Sequence, residues 1–483
     1  MNFKLRNLVA ATLAGSFLMG FGVNAMADST TDIVNALVSK GVLTEEEGAL
    51  LTKGRTDEAA GQAKALKKAG KVTVSDAIDN ATIYGNMRFR EEVRTGSGNT
   101  ATNITADQKR TRSRGKFELG VSTTAGNWYT DVAITTGSDS SARSDNFTFG
   151  GASSSVAGTS CPTCNAGYNP KETIFLKRAM LGVKATDWLT LEGGRMKNPL
   201  YTTAMMWDAD YTVSGLNEKF NFKVKDTELF ATLGQWAHYK MDRSIVDNYS
   251  NGTTPVTGTT GEIYAFQGGF KTALVENKAS AKAALTYYVY GSEKARGIFV
   301  PGLANAAVAS GQYGVNNLNI FEMPAEVNYM ISDSIGMRVY GDYAINTDAD
   351  ARARAAGVAY TGSVDDTAWV LGLSLASAKD LKSFEANKMA KGDWSANLWY
   401  QEIGLFAVDP SLGDSDFMDS RLNMKGVVFK GQYNIENNVA LNLSAGHGSR
   451  LNGLYGSAYT TGADLSLNLT KFNLLQADVT YKF

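Results

Sequence analysis

The chain has 483 residues and a formal net charge of -1, a balance that gives no case for nucleic acid as a partner. Beyond residue 27 no apolar run approaches the roughly 18 residues that would suggest a membrane-spanning helix. With a mean hydropathy of -0.19 this excludes a helical membrane protein. The composition of 49 glycines, 7 prolines and 10% aromatics suits a large sheet with continuous ladders and aromatic rims.

Residues 1–27 carry a basic start (Lys4, Arg6), an apolar stretch from Leu8 to Val23, and Ala25-Met26-Ala27, which fits the small-x-small rule of signal peptidase. They predict a cleaved secretory signal peptide. Residues 28–80 are expected to form a helical leader segment. Ile33, Leu37 and Val38 recur at helical spacing, Thr44 and Glu47 make a capping-box pattern, and 57–68 is charged and Ala-rich. This leader is expected in the periplasm, as a coiled segment, a peptidoglycan contact, a plug or a plain solvated extension.

From residue 81 to 483 the period changes from helical to alternating. Predicted strands run 81–94, 109–123, 128–137, 172–185, 188–197, 211–224, 228–240, 262–274, 278–290, 317–331, 335–346, 366–377, 392–404, 422–434, 439–449 and 472–483. That is an all-β chain of about 16 strands, the even number that a transmembrane antiparallel β-barrel with both ends on one side requires. Connectors alternate in length. Ala125-Gly126, Thr186-Asp187, 225–227, Glu276-Asn277, 332–334 and 436–438 are tight, whereas 138–171, 241–261, 291–316 and 346–365 are long and polar. Short periplasmic turns and long outer loops are the outer-membrane pattern, from which only 378–391 departs by being longer than a turn.

The last segment alternates most cleanly. Leu475, Ala477, Val479, Tyr481 and Phe483 share one face, and Gln476, Asp478, Thr480 and Lys482 the other. Paired with the strand that begins near Ala81, it would close the cylinder.

The same parity assigns charges to the lumen. On the first strand Ile83, Met87, Phe89 and Val93 oppose Asn86, Arg88, Arg90, Glu92 and Arg94. On the second, Phe117, Leu119 and Val121 oppose Arg110, Arg112, Arg114, Lys116 and Glu118. Because Arg or Lys facing lipid at the midplane costs about 2 to 4 kcal/mol, the charged faces must turn to water. Glu322, Glu326 and Asp342, from the tenth and eleventh strands, supply the opposite sign about half a circumference away. The expectation is a basic wall and an acidic wall facing each other across a pore, with solvated filler charge as the bland alternative.

Other features carry less. Cys161 and Cys164, in the run CPTC of an exported chain, are a disulfide candidate in a Gly/Ser-rich loop, without the ligands of a zinc site. Asp414, Asp416 and Asp419 resemble part of a calcium loop, but Phe417 and Met418 break the ligand spacing, so they read as a polar outer loop. Asp348 with Arg352 and Asp350 with Arg354 fit a short loop helix. His238 and His447, the only two histidines, give a Ser/His hydrolase poor support. No enzyme, metal or cofactor is expected.

Three motifs and the aromatic end are shared with a family. They are the leader Lys40-Gly41-Val42-Leu43-Thr44-Glu45-Glu46-Glu47, the run GRMKNPLYTTAMMWDAD from Gly194 to Asp210, and Gly392-Asp393-Trp394 with Gly413-Asp414-Ser415-Asp416-Phe417. In their order and spacing the chain resembles the putative porin family of proteobacterial outer membranes, with a distant likeness to phosphate-selective porins. The resemblance implies a water-filled channel for passive diffusion of small hydrophilic solutes and ions, in a homotrimer, within the lipid and lipopolysaccharide of a Gram-negative outer membrane. It also implies that 198–210 lies at the pore entrance or narrows it. By parity Arg195 would face lipid, which predicts a bulge there or a position above the hydrocarbon. A solute-specific channel for an anion such as phosphate and a barrel-anchored adhesin or structural protein stay open as alternatives.

Overall fold

The computed structural model describes residues 77–98, 108–137, 142–150, 171–237, 246–247, 256–257, 262–291, 318–355, 364–417, 422–453 and 469–483. Period-2 alternation leads there to a closed antiparallel barrel of 16 strands. In chain order they are β1 (Asn80–Gly98), β2 (Gln108–Ala125), β3 (Trp128–Thr136), β4 (Ile174–Lys184), β5 (Leu189–Lys197), β6 (Thr212–Val224), β7 (Thr227–Ala237), β8 (Glu262–Val275), β9 (Ala279–Gly291), β10 (Asn319–Glu322 continued by Ala325–Ser332), β11 (Ile335–Asn346), β12 (Thr367–Ser377), β13 (Trp394–Ile403), β14 (Met424–Glu436), β15 (Val439–Arg450) and β16 (Leu469–Lys482). Two short helices, α1 (Ala349–Ala355) and α2 (Leu381–Glu385), lie in connectors. Residues 28–76 of the expected leader 28–80, the signal 1–27, Cys161, Cys164, His238 and Asp419 lie outside the described residues.

Closure is by β16 on β1, with Val93 opposite Leu475 and Asn86 opposite Lys482. Past the ladder, Gly85 and Phe483 exchange backbone hydrogen bonds of 3.0 and 3.1 Å. In β16 the alternation is literal: Gln476 is fully buried and Leu475 is 51% exposed toward lipid. Outward side chains such as Met87, Phe89, Leu371 and Leu443 are likewise exposed, as a lipid-facing band requires.

Two irregularities shape the interior. Proline lacks the N–H a ladder needs, so β10 breaks at Met323-Pro324, where the Pro324 carbonyl still accepts from the Ala284 amide at 3.0 Å. On β4 the register against β3 skips one residue, pairing Arg178 with Ala133 but Leu176 with Ile134. This bulge turns both Lys177 and Arg178 inward, while Leu176 and Leu181 on either side stay exposed to lipid.

The long connector after β12 folds back against the inner wall. Asp380 caps α2 by accepting from the Ser383 amide at 2.6 Å, and Leu381 and Phe384 bury against Met330, Ala376 and Ala378. Glu385 takes Lys271 and Ser280, and Phe384 lies over Gly336, where a Cβ would stand 2.3 Å from its ring. Phe384→Ala is expected to cost about 3 kcal/mol, from lost transfer energy and the cavity left behind. A lowered urea midpoint of the refolded barrel is the check, and an unchanged midpoint would remove α2 from the fold's stability.

Candidate functional site

Both long connectors that are described most fully enter the lumen. Residues 198–211, between β5 and β6, and 404–417, between β13 and β14, carry Leu200, Met205, Met206, Trp207, Leu405, Phe406, Val408, Leu412 and Phe417 into one buried cluster with inward residues of the wall. The two loops hold each other. The Asp208 amide donates to the Leu412 carbonyl at 2.6 Å, the Asp414 amide to the Ala204 carbonyl at 2.9 Å, and the Ser415 amide to the Asp208 carboxylate at 2.9 Å. Gly413 eases this crossing, since a Cβ would stand only 3.0 Å from the Met205 carbonyl oxygen. Asp414 and Asp416, expected in a polar outer loop, therefore stand inside the barrel.

One side of this bridge is fixed to the wall that carries Glu322 and Asp342. Thr202 donates to Glu322 at 2.5 Å, Thr203 to Asp342 at 2.6 Å, and Tyr288 to the other Glu322 oxygen at 2.5 Å, while Trp207 donates to the Tyr288 hydroxyl at 3.1 Å. The Gln267 side chain holds the Tyr201 backbone, its Oε1 accepting from the Tyr201 amide at 2.9 Å and its Nε2 donating to the Tyr201 carbonyl at 2.8 Å. Glu322 and Asp342 are thus sealed beneath 198–211 and do not present an acidic wall to water. Glu326 lies 3.6 Å from Arg338, and the wall on this side carries the inward cations Lys271, Lys282 and Arg338. The facing of opposite walls expected from parity is replaced by an inserted bridge, because carboxylates near an apolar loop are stabilised only when its hydroxyls reach them.

The other side of the bridge meets the basic ladder. Arg88, Arg90, Arg94, Arg110, Arg112, Arg114 and Lys116 lie on the inward faces of β1 and β2, and most of them are engaged. Arg90 holds Asp478 at 2.7 and 2.8 Å and Asp416 at 2.9 and 3.0 Å. Glu92 gathers Arg112 at 2.5 Å, Arg94 at 3.1 Å and Gln476 at 2.7 Å. Lys116 reaches Asp145 at 2.7 Å and Asp210 at 2.9 Å, and Lys177 also pairs with Asp145 and, at 3.6 Å, Asp210. Arg178 joins Glu118 at 2.8 Å and Asp131 at 2.7 Å. Each inserted loop therefore sends one carboxylate, Asp210 or Asp416, into the ladder.

Those loop carboxylates are tuned by place. Burial would push Asp416 up, but Arg90, Lys430 and Arg94 outweigh it and hold the group well below the usual carboxylate range. Burial is opposed in the same way at Asp210 by Lys116 and Lys177, and the net shift is downward. Asp208, buried beside Asp414 and Asp210, is raised well above its ordinary value despite the donors it accepts from. The ladder thus favours charge on the carboxylates that touch it, and the loop junction disfavours it.

Parity alone does not reach Lys177, Asp145, Asp210 or Asp416. The adjacent Lys177-Arg178 in an otherwise alternating strand is the signal for the bulge, and the apolar run 405–408 inside a supposed outer loop is the signal for its burial. Arg195 sits outward by parity, with its guanidinium bonded to the Lys177 carbonyl at 3.0 Å and Ser214 at 3.3 Å. The bulge lies on the neighbouring strand, at Lys177. Gly194 beside Arg195 adopts φ +120°, with only room for hydrogen where a Cβ would approach the Ala179 carbonyl to 2.3 Å. Beside the bridge a cavity of about 700 Å³ remains, lined among others by Tyr84, Tyr129, Asp131, Glu192, Met196 and Lys219.

No curated protein matches the chain. Similar solved structures include OmpT, an outer membrane protein of Vibrio cholerae, at 11% identity, covering 85% of this chain and 99% of that one with a TM-score of 0.39. The trimer form of OmpT is 11% identical over 84% of this chain and 100% of that one, with a TM-score of 0.40. The family model described as a putative porin matches residues 76–298 and 305–474, nearly the whole barrel including both inserted loops. By that match the chain belongs to the putative porin family.

Proposed function

We propose that this outer-membrane barrel is a passive diffusion channel for small hydrophilic solutes and ions, driven by their gradients and without covalent chemistry. The supporting observation is the bridge. Two loops pinned to opposite walls narrow the bore, and the remaining space is walled by charged and hydrogen-bonding side chains, which favour water over apolar filling. A homotrimer, export through a cleaved signal at 1–27 and a periplasmic leader at 28–80 complete this reading. Reconstitution in planar bilayers tests it: stepwise single-channel currents are expected, and an inserted, folded barrel that passes no current would overturn it.

The ladder gives this channel a sign. Arg112 and Arg114 both lie near Glu92, at 2.5 and 3.8 Å, so removing them leaves that carboxylate to Arg94 and makes the wall locally negative. Replacing Arg110, Arg112 and Arg114 together with Ala is expected to shift ion selectivity toward cations. An unchanged reversal potential in a salt gradient would sink the assignment of these residues to the permeation path.

A further inference from the structure

Arg88, Arg90, Arg114 and Lys116 occupy the corners of a quadrilateral on the inner wall. The register sets Arg88 directly opposite Lys116 and Arg90 directly opposite Arg114. Like charges directly opposite in a sheet repel, so such an arrangement persists only if something neutralises it. On one diagonal the protein does so itself, since Arg90 has Asp416 and Asp478 and Lys116 has Asp145 and Asp210. On the other diagonal the hydrogen-bond partners are neutral, and carboxylates act on these two arginines only from a greater distance. Arg88 donates to the Asn146 side-chain oxygen at 2.7 Å and Arg114 to the Ser144 hydroxyl at 2.9 Å. The carboxylate nearest Arg114 is Glu92 at 3.8 Å, already engaged by Arg94, Arg112 and Gln476.

Arg114 is 7% exposed, and the Nε atoms of both Arg88 and Arg114 are buried without a hydrogen-bond partner. Ser144 and Asn146 belong to one turn, in which the Asn146 side-chain amide donates to the Ser144 hydroxyl at 3.2 Å, so their positions are coupled. A guanidinium offers a planar fork suited to two oxygens of one anion, and an unfilled Nε is half of such a fork.

We propose that Arg88 and Arg114, beneath the Ser144–Asn146 turn, form an oxyanion subsite that takes the carboxylate or phosphate group of a small solute. The subsite deepens the channel reading, and rests on it for its role in permeation but not for binding itself. An anion here would give that diagonal a counter-charge in direct hydrogen-bond contact, and would give passing anions a resting place beside the bridge. It also gives Asn146 a reason to be neutral: an aspartate there would fill the subsite from within.

The test uses the refolded full-length barrel in detergent, titrated calorimetrically with inorganic phosphate and separately with sodium acetate in a chloride background. Saturable binding is expected, weakened about tenfold, the worth of one charge-assisted contact, in Arg88→Gln and in Arg114→Gln. Asn146→Asp keeps both arginines and alters only the turn, and it should abolish binding as well. Preference for phosphate or for acetate tells the two sources of the oxyanion apart. Absence of binding by the native chain, or binding unchanged in all three variants, overturns the subsite. In bilayers the same anions should block chloride current in the native channel and not in Asn146→Asp. A barrel that binds phosphate but never conducts overturns the channel reading and leaves the subsite standing, and one that conducts without binding does the reverse.

Discussion

Replacing Asp210 and Asp416 together with Asn is expected to raise single-channel conductance and its noise, and to increase the preference for anions. These two carboxylates carry the inserted loops onto the ladder, to Lys116 at 2.9 Å and Arg90 at 2.9 Å. Breaking a buried pair from one side leaves an uncompensated charge, worth about 3 kcal/mol or more at each site. The loops would still hold each other through Asp208 and Ser415, and would still be tied to Glu322 and Asp342. They would lose their two charged clasps to β1 and β2, keeping the weaker hold of Arg94 on the Ser415 carbonyl, so the bridge would be loosened at that end. Selectivity follows the same sign, because two negative charges leave a wall of arginines and lysines. Conductance and reversal potential both unchanged would mean that the clasp does not bound the permeation path.

Deleting Leu469–Phe483 is expected to abolish the folded barrel altogether. Without β16 the ladders to β1 and β15 disappear, leaving two open edges in lipid where each unsatisfied backbone group costs several kcal/mol. No loop or helix among the described residues stands ready to cover them. Loss of the compact, heat-modifiable species on electrophoresis is the measure. A barrel that still folded and conducted after this deletion would show that closure by β16 is dispensable.

Both results turn on the same division between what a local pattern carries and what it does not. The strands are legible because lipid and water impose opposite demands on alternate residues, so Leu475 and Gln476 declare their faces without reference to any distant partner. The turns at Lys225 and Asn277, both at positive φ, are equally local. Arg90 and Arg114 could be placed on an inward face from their neighbours alone, though not against each other. That required the register of β1 on β2.

The bulge at Lys177 shows where alternation fails. One extra residue flips the parity of everything after it, and only the pairing with Ala133 and Ile134 reveals where the flip occurs. The acidic wall failed for a different reason. Glu322 and Asp342 do lie on the inward face, but Thr202 and Thr203, more than a hundred positions earlier in the chain, fold over them. No periodicity marks a loop that leaves the outer surface and enters a lumen.

By itself the sequence determined the barrel, its strand number, its closure by the terminal strand and the polarity of each face, since those follow from residue alternation under two solvents. The tertiary structure alone decided what the inward charges are for. Arg90 meets Asp416 and Asp478 across 326 and 388 positions of chain. Contacts of that separation depend on where whole loops come to rest, and the chemistry of the bore is set by them.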